Sequence, residues 1–232
     1  MSKVVTARNK YGLYLLPESS LYTCTSSYVY NGGVHEQSTI DYLLENHGNG
    51  DIIHAGAGFG DFLPALSGIS GYVWAFEPNK ENYDCCLQTI LLNNIKNVDV
   101  KNIGLASSKK ELKLLVSDGD ISLGPRSEIS NEVPEGFGYD IVMAYSLDSL
   151  VPVDRNVSII HLDVEGYEFE VLLGAENIIH IHKPVIVLEI HDNPVKYNKF
   201  MKSINYKPVR QLIHDCTDMV FINTVYKYDE RL

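Results

Sequence analysis

Positive charge is scarce in this chain. Nineteen lysines and arginines stand against 30 aspartates and glutamates, for a net charge of −11 over 232 residues. That balance argues against general affinity for a nucleic-acid backbone or an anionic membrane. Long apolar runs are missing as well: no stretch reaches the roughly 18 residues of a membrane span. Met1-Ser2-Lys3-Val4-Val5 lacks the apolar centre of a signal peptide, so the expected location is the cytoplasm. Cysteine is sparse, and Cys24, Cys85, Cys86 and Cys216 show no C-x-x-C spacing. A zinc site is therefore not indicated, and reduced cysteines in a packed interior are expected. Internal repeats, low-complexity tracts and linkers are also lacking. The simplest division is a tyrosine-rich N-terminal cap over residues 1–50 and one α/β domain over 51–232.

The most informative stretch is Asp51-Ile52-Ile53-His54-Ala55-Gly56-Ala57-Gly58-Phe59-Gly60. A short apolar run leads into three glycines at alternate positions, with a helical pattern from about Asp61. This reads as a strand, a tight turn and a helix start, which brings backbone N–H groups close to a nucleotide cofactor. Glycine keeps side chains out of the way and permits positive φ. The dinucleotide fingerprint wants glycine or alanine where Asp61 stands, so G-x-G-x-x-G/A fails. G-x-G-x-G suits a cofactor without a pyrophosphate, which weighs against a nicotinamide-dependent dehydrogenase. A second buried strand, Tyr72–Phe76, ends in Glu77-Pro78-Asn79. Glu77 is placed to accept hydrogen bonds from a ribose diol. A third strand, Val98–Ile103, leads to Gly104-Leu105, and Asn102, Gly104 and Leu105 are candidates to lie beside an adenine. Gly56, Ala57, Gly58, Gly60, Glu77 and Pro78 complete the candidate cofactor site.

A second dense region lies further on. Val157–Leu162 is an apolar strand running into Asp163, and Pro184–Ile190 is another, reaching Glu189 and His191. Strand side chains alternate, so His161 and Asp163 share a face, as do Glu189 and His191. In open α/β sheets ligands lie outside the carboxyl ends of the strands. If the two strands are neighbours, two carboxylates and two imidazoles converge there. His191 or Asp163 would serve as general base. Alternatively Asp163, Glu189 and His191 would hold a divalent metal, or the cluster merely caps the strands and a helix starting near Glu165.

The remaining elements follow from periodicity. Tyr11–Leu16 reads as a strand ending at Pro17. Tyr22, Tyr28 and Tyr30 sit in a polar stretch that would cover the site and stack on a substrate. Helices are expected at Asp61–Leu66, at Asn79–Leu92, after Glu165 through Phe169, Leu172, Leu173 and Ala175, and from Pro194 through Val195, Phe200 and Ile204. Residues 107–150 break the rhythm, and a β excursion on the main sheet is expected there. Lys207–Leu212 and Met219–Val225 read as a closing antiparallel pair.

Together these residues resemble the FkbM family of S-adenosylmethionine-dependent methyltransferases. Gly56–Gly60 matches the family's glycine motif and Phe76-Glu77-Pro78 its second-strand ending. Leu162-Asp163-Val164-Glu165-Gly166-Tyr167-Glu168, with Val171-Leu172 and Gly174-Ala175, looks like its most specific signature. Ser146–Leu150 and Val187–His191 also fit. The family usually has Asp at the position of His54, Asn at that of Gly58, and often Lys at that of His161. The resemblance implies a class I methyltransferase fold, a Rossmann-like three-layer sandwich with a seven-stranded, mostly parallel sheet and an antiparallel last strand. It further implies S-adenosylmethionine as cofactor and O-methylation of a hydroxyl on a sugar or natural-product acceptor, with Asp163, His191, Glu189 and His161 as catalytic candidates. The partner expected is a small molecule or glycan, not a nucleic acid or a membrane. With His54 and Gly58 in place, a second reading stays open: a degenerate cofactor-binding domain acting as a non-catalytic partner subunit.

Overall fold

The computed structural model describes residues 3–69, 71–190, 194–216 and 219–232, with main chain only at 215–216 and 219–221. The chain opens with an antiparallel hairpin, β1 (Val4–Arg8) and β2 (Leu13–Pro17), followed by helices α1 (Cys24–Tyr30) and α2 (Gln37–Asn46). The first half of the main sheet then forms from β3 (Asp51–Ala55), α3 (Leu63–Leu66), β4 (Val73–Phe76), α4 (Lys80–Leu92) and β5 (Val98–Lys101). A set of shorter strands follows: β6 (Gly104–Leu105), β7 (Lys110–Asp118), β8 (Ile121–Ser122), β9 (Glu128–Ser130) and β10 (Phe137–Tyr145). The second half comprises α5 (Leu147–Leu150), β11 (Val157–Leu162), α6 (Glu168–Leu173), α7 (Glu176–His182), β12 (Val185–Glu189), α8 (Pro194–Ser203), β13 (Tyr206–Cys216) and β14 (Met219–Tyr228).

Seven strands form the main sheet in the order β13-β14-β12-β11-β3-β4-β5. Only β14 runs against the rest, antiparallel to both β12 and β13. Buried strands alternate between two cores, as strands covered on both faces must. Ile53, Ile160, Ile186 and Leu188 pack on one side; Ile52, Ile159, Val187 and Val225 pack on the other. The strand order reverses between β3 and β11. At that reversal Leu162 is level with Ala55 on one side and with Leu188 on the other, so the strand ends carrying the candidate residues are adjacent.

Several sequence expectations need correction. The excursion does not extend the main sheet. It forms a separate five-stranded sheet, ordered β6-β10-β7-β8 with β9 on β7. The third strand stops at Lys101, and Gly104-Leu105 leaves to pair with β10. The helix after Glu165 is broken in two at Gly174, where a Cβ would lie 2.2 Å from the Ala106 carbonyl oxygen. It begins at Glu168, because Glu165 itself is left-handed at φ 51°. The helix after the glycine turn starts only at Leu63. On α8, Tyr197 and Met201 are the buried positions, while Val195 is exposed. Cys85 and Cys86 are free and buried as expected, but Cys24 is disulfide-bonded; a pairing set by tertiary contact leaves no local spacing to read. No helix among the described residues is long and apolar enough to cross a membrane.

Candidate active site

The glycine turn is fixed from both neighbouring strands. Gly56 and Ala57 each donate a backbone N–H to the Phe76 carbonyl at 3.0 Å, and Asp163 N–H donates to the Ala55 carbonyl at 3.1 Å. Gly56 has φ +87°, and a Cβ on it would lie 1.7 Å from the Asp163 carbonyl oxygen. Only glycine lets β3 and the segment after β11 approach this closely.

Glu77 closes the turn from β4. Its carboxylate accepts the Gly58 N–H and the Asn79 N–H, each at 2.7 Å. The side chain is buried, and burial pushes its pKa up to about 7 against those hydrogen bonds. Asn102 donates to the carbonyls of Glu77 and Pro78 at 2.8 and 2.9 Å, so it supports the strand end from behind. Asn79 caps α4 by accepting from Glu81 and Asn82 N–H groups.

Two openings meet here. A narrow slot with about 30 Å³ of free volume is lined by Phe76, Glu77, Pro78, Ile103, Gly104, Leu105, Leu114 and Ile129. A larger cleft of about 660 Å³ lies between the cap and the strand ends, with Tyr22, His35, Glu36, His54, Asp61, Arg126 and Glu189 among its walls. Gly56, Pro125, Asp163 and Glu165 belong to both. Of the candidate cofactor residues, Gly56, Glu77, Pro78, Gly104 and Leu105 therefore line the slot and Gly58 lines the cleft. Ala57 and Gly60 do not reach either: Ala57 is in the core, and Gly60 packs on Cys86.

Carboxylates dominate the cleft. Asp163, half-buried, is hydrogen-bonded to Glu189 on the neighbouring strand. Burial, and then the Glu189 charge, raise the Asp163 pKa well above the usual carboxylate range, with Glu36 and Glu165 adding to the effect. Glu36 is buried just before α2, left-handed at φ 48°, and accepts 2.6 Å from Asn223 Nδ2. Burial and Glu189 bring its pKa to about 8. Asp61 reaches about 7 through burial, despite hydrogen bonds from its own and the Phe62 N–H. His35 Nδ1 lies 4.0 Å from Asp61 Oδ2, but burial and His214 lower its pKa to about 3, so it is neutral.

The sequence candidates separate accordingly. Asp163 and Glu189 come together at the cleft. His161 does not reach it: the residue is fully buried one step below, paired through Nδ1 with His54 Nδ1 at 2.9 Å. His191 lies outside the described residues. Among the described residues no three His, Cys, Asp or Glu side chains are grouped to hold a metal ion. Glu168, the last residue of the acidic signature, accepts the Val164 and Gly166 N–H groups at 3.1 Å, so it shapes the loop rather than facing a ligand. His35, Glu36 and Asp61 were missed as site residues. Asp61 was visible only as a break in the dinucleotide pattern, and nothing periodic marks His35-Glu36. The cap does cover the site, but of the three tyrosines expected there only Tyr22 lines the cleft. Its hydroxyl donates to the Ser122 carbonyl, tying the cap to the second sheet.

A seven-stranded sheet with one reversed strand, a glycine turn after β3 and an acidic residue ending β4 define a class I methyltransferase fold. Residues 54–219 match the model of the methyltransferase FkbM domain; the chain belongs to the FkbM methyltransferase family. Among solved structures it is similar to the methyltransferase FkbM from Methylobacillus flagellatus KT, at 19% identity and TM-score 0.55, covering 77% of this chain and 43% of that one. TYW2 from M. jannaschii, solved in complex with AdoMet, is 12% identical at TM-score 0.51 over 99% of this chain and 88% of that one. The Pyrococcus abyssi tRNA (uracil-54, C5)-methyltransferase, in complex with S-adenosyl-L-homocysteine, is 17% identical at TM-score 0.53 over 97% and 44%. The chain thus spans under half the length of the Methylobacillus and Pyrococcus proteins. At these identities the likeness is one of fold. No curated protein sequence matches it.

Proposed function

We propose that the protein transfers a methyl group from S-adenosylmethionine to a hydroxyl oxygen of a small-molecule or glycan acceptor. The observation that carries this reading is Asp163, whose side forms wall of both the slot beside Glu77 and the acidic cleft. The cofactor fits the residues present. The glycine turn lines both openings at Gly56 without a side chain to keep a ligand off the backbone, Glu77 ends β4 where a ribose diol needs an acceptor, and Phe76, Ile103 and Leu105 are apolar walls for an adenine. When bound, S-adenosylmethionine supplies a methyl carbon on a sulfonium that leaves with the carbon–sulfur bonding pair.

The protein aligns the acceptor and receives its proton. Asp163 and Glu189, hydrogen-bonded to each other, hold one proton between them and one negative charge. A hydroxyl placed in the cleft against Asp163 passes its proton to that pair as its oxygen forms the new bond to carbon. The pair, then doubly protonated, returns the proton to solvent through the cleft. A nucleic-acid acceptor is disfavoured, because phosphates would meet a carboxylate-lined cleft on a chain of net charge −11.

Incubation with S-adenosylmethionine and a panel of sugars and polyols tests the reading. The expected result is methyl ether formation with stoichiometric S-adenosylhomocysteine. Saturable cofactor binding without transfer to any acceptor, together with a tight protein partner, would favour the non-catalytic subunit instead.

A further inference from the structure

The larger cleft holds more carboxyl groups than receiving one proton requires. Glu36, Asp61, Asp163, Glu165 and Glu189 line it from four separate segments of chain. Among the described residues that line it, Arg126 is the one with a fixed positive charge, and its guanidinium lies over the Tyr22 ring, 5.7 Å from the centroid. Carboxyl groups gathered in a buried setting hold their protons, and a cation placed among them favours the charged form instead.

A second, independent observation comes from the histidine pair. His54 lines the cleft, is 1% exposed, and has no hydrogen-bond partner at Nε2. Its other ring nitrogen, Nδ1, is engaged by His161 Nδ1 at 2.9 Å, so His54 Nε2 is a buried polar atom of the cleft wall that is left for a ligand to meet.

We propose that the acceptor carries a protonated amine beside the hydroxyl that is methylated, as an unacetylated amino sugar does, and that Glu36, Asp61, Asp163 and His54 Nε2 receive it. This deepens the methyltransferase reading and rests on it. An ammonium supplies a positive charge that balances these carboxylates. A neutral polyol supplies donors without the charge, and a phosphorylated or carboxylated acceptor adds repulsion.

The test uses three rings of matched shape: glucosamine, N-acetylglucosamine and glucose. Each is titrated by ligand-observed NMR at constant ionic strength near neutral pH, into the full chain with and without S-adenosylhomocysteine. Calorimetric binding of S-adenosylhomocysteine is recorded first. Glucosamine should bind at least about ten-fold more tightly than the other two, and Glu36→Gln and Asp61→Asn should each narrow that gap. Both substitutions are near-isosteric and remove a buried like charge, so their melting temperatures should not fall. Should either variant fail to fold, the wild-type comparison still decides. Equal affinities for the three sugars, or no glucosamine binding, would overturn the proposal while leaving the methyltransferase reading intact. Failure of S-adenosylhomocysteine to bind, with the glucosamine preference retained in the free protein, would remove the methyltransferase reading and support the amine site.

Discussion

His54 and His161 face each other across adjacent parallel strands, with Nδ1 atoms 2.9 Å apart and rings nearly parallel at an interplanar angle of 6°. Phe62 stacks on both. Burial lowers both pKa values, that of His161 to about 4, so the pair is neutral, one ring donating and the other accepting. The two positions where the FkbM family usually has Asp and often has Lys are thus direct neighbours here. In this chain the two Nδ1 atoms partner each other, while each Nε2 is buried without a hydrogen-bond partner.

This pairing has a measurable coupling. His54→Phe leaves His161 Nδ1 buried without its partner, and His161→Phe does the reverse. Each should cost about 1–3 kcal/mol of unfolding free energy. The double variant should cost less than the sum, because it leaves no stranded polar atom. Denaturant unfolding of the four proteins measures this; strict additivity would mean that the contact contributes nothing specific.

The glycine turn should be unequally tolerant. Gly56→Ala drives a Cβ to within 1.7 Å of the Asp163 carbonyl at φ +87°, so the variant should fail to fold or lose several kcal/mol. At Gly58 a Cβ meets nothing closer than Asp61 Oδ1 at 3.8 Å, with φ +52°. Asn adopts left-handed backbone more readily than other side chains, so Gly58→Asn should stay within about 1 kcal/mol of wild type. Thermal melts of the two variants check this order, which a flexible turn would not reproduce.

Asp163→Asn should separate chemistry from binding. With the proton acceptor gone, the transfer rate should fall by roughly 10²–10⁴-fold, while S-adenosylhomocysteine affinity changes by no more than a few-fold. Removing one charge from the pair with Glu189 should also raise the melting temperature. Unchanged turnover in a folded variant would remove Asp163 from the mechanism.

Stability should fall as the solution becomes alkaline. Glu36, Asp61, Glu77 and Asp163 all have raised pKa values in the folded chain, at about 8, 7 and 7 for the first three. Their contribution is full below the ordinary carboxylate range and is lost as pH climbs through these values. His35, His54 and His161 are depressed from 6.5, so they lose stability only as pH drops below that value and add nothing above it. Between about pH 6.5 and about pH 8.5 the melting temperature should therefore drop, on the order of 5 °C, and Glu36→Gln should flatten the slope. A melting temperature that rises over this range would contradict the burial of these acids.

Much of this arrangement was legible in the residues. Continuous apolar strands such as Val157–Leu162 and Val185–Glu189, each ending in charge, marked a parallel sheet with its site at the carboxyl ends, and alternation placed Asp163 with Glu189. Long-range placement was not legible. His35 and Glu36 reach the cleft because α2 packs beside β13, a relation that no local period encodes. The second sheet was misplaced because β6 is only two residues long and its partner, β10, lies some forty residues on. The sequence shows Glu77 only as a strand-end acceptor for a ribose diol. In fact it is buried and ties two backbone N–H groups, so Glu77→Ala should lower the melting temperature as well as cofactor affinity.

The central claim is that the slot beside Glu77 holds the nucleoside of S-adenosylmethionine, and calorimetric titration of S-adenosylhomocysteine into wild type and Glu77→Gln tests it most directly. The Gln variant keeps an acceptor for the turn while removing the charge. The expected result is saturable one-to-one binding in the micromolar range or tighter for the wild type, weakened roughly ten- to a hundred-fold in Glu77→Gln, with both proteins folded. No saturable binding to the wild type, or equal affinity in the variant, would contradict it.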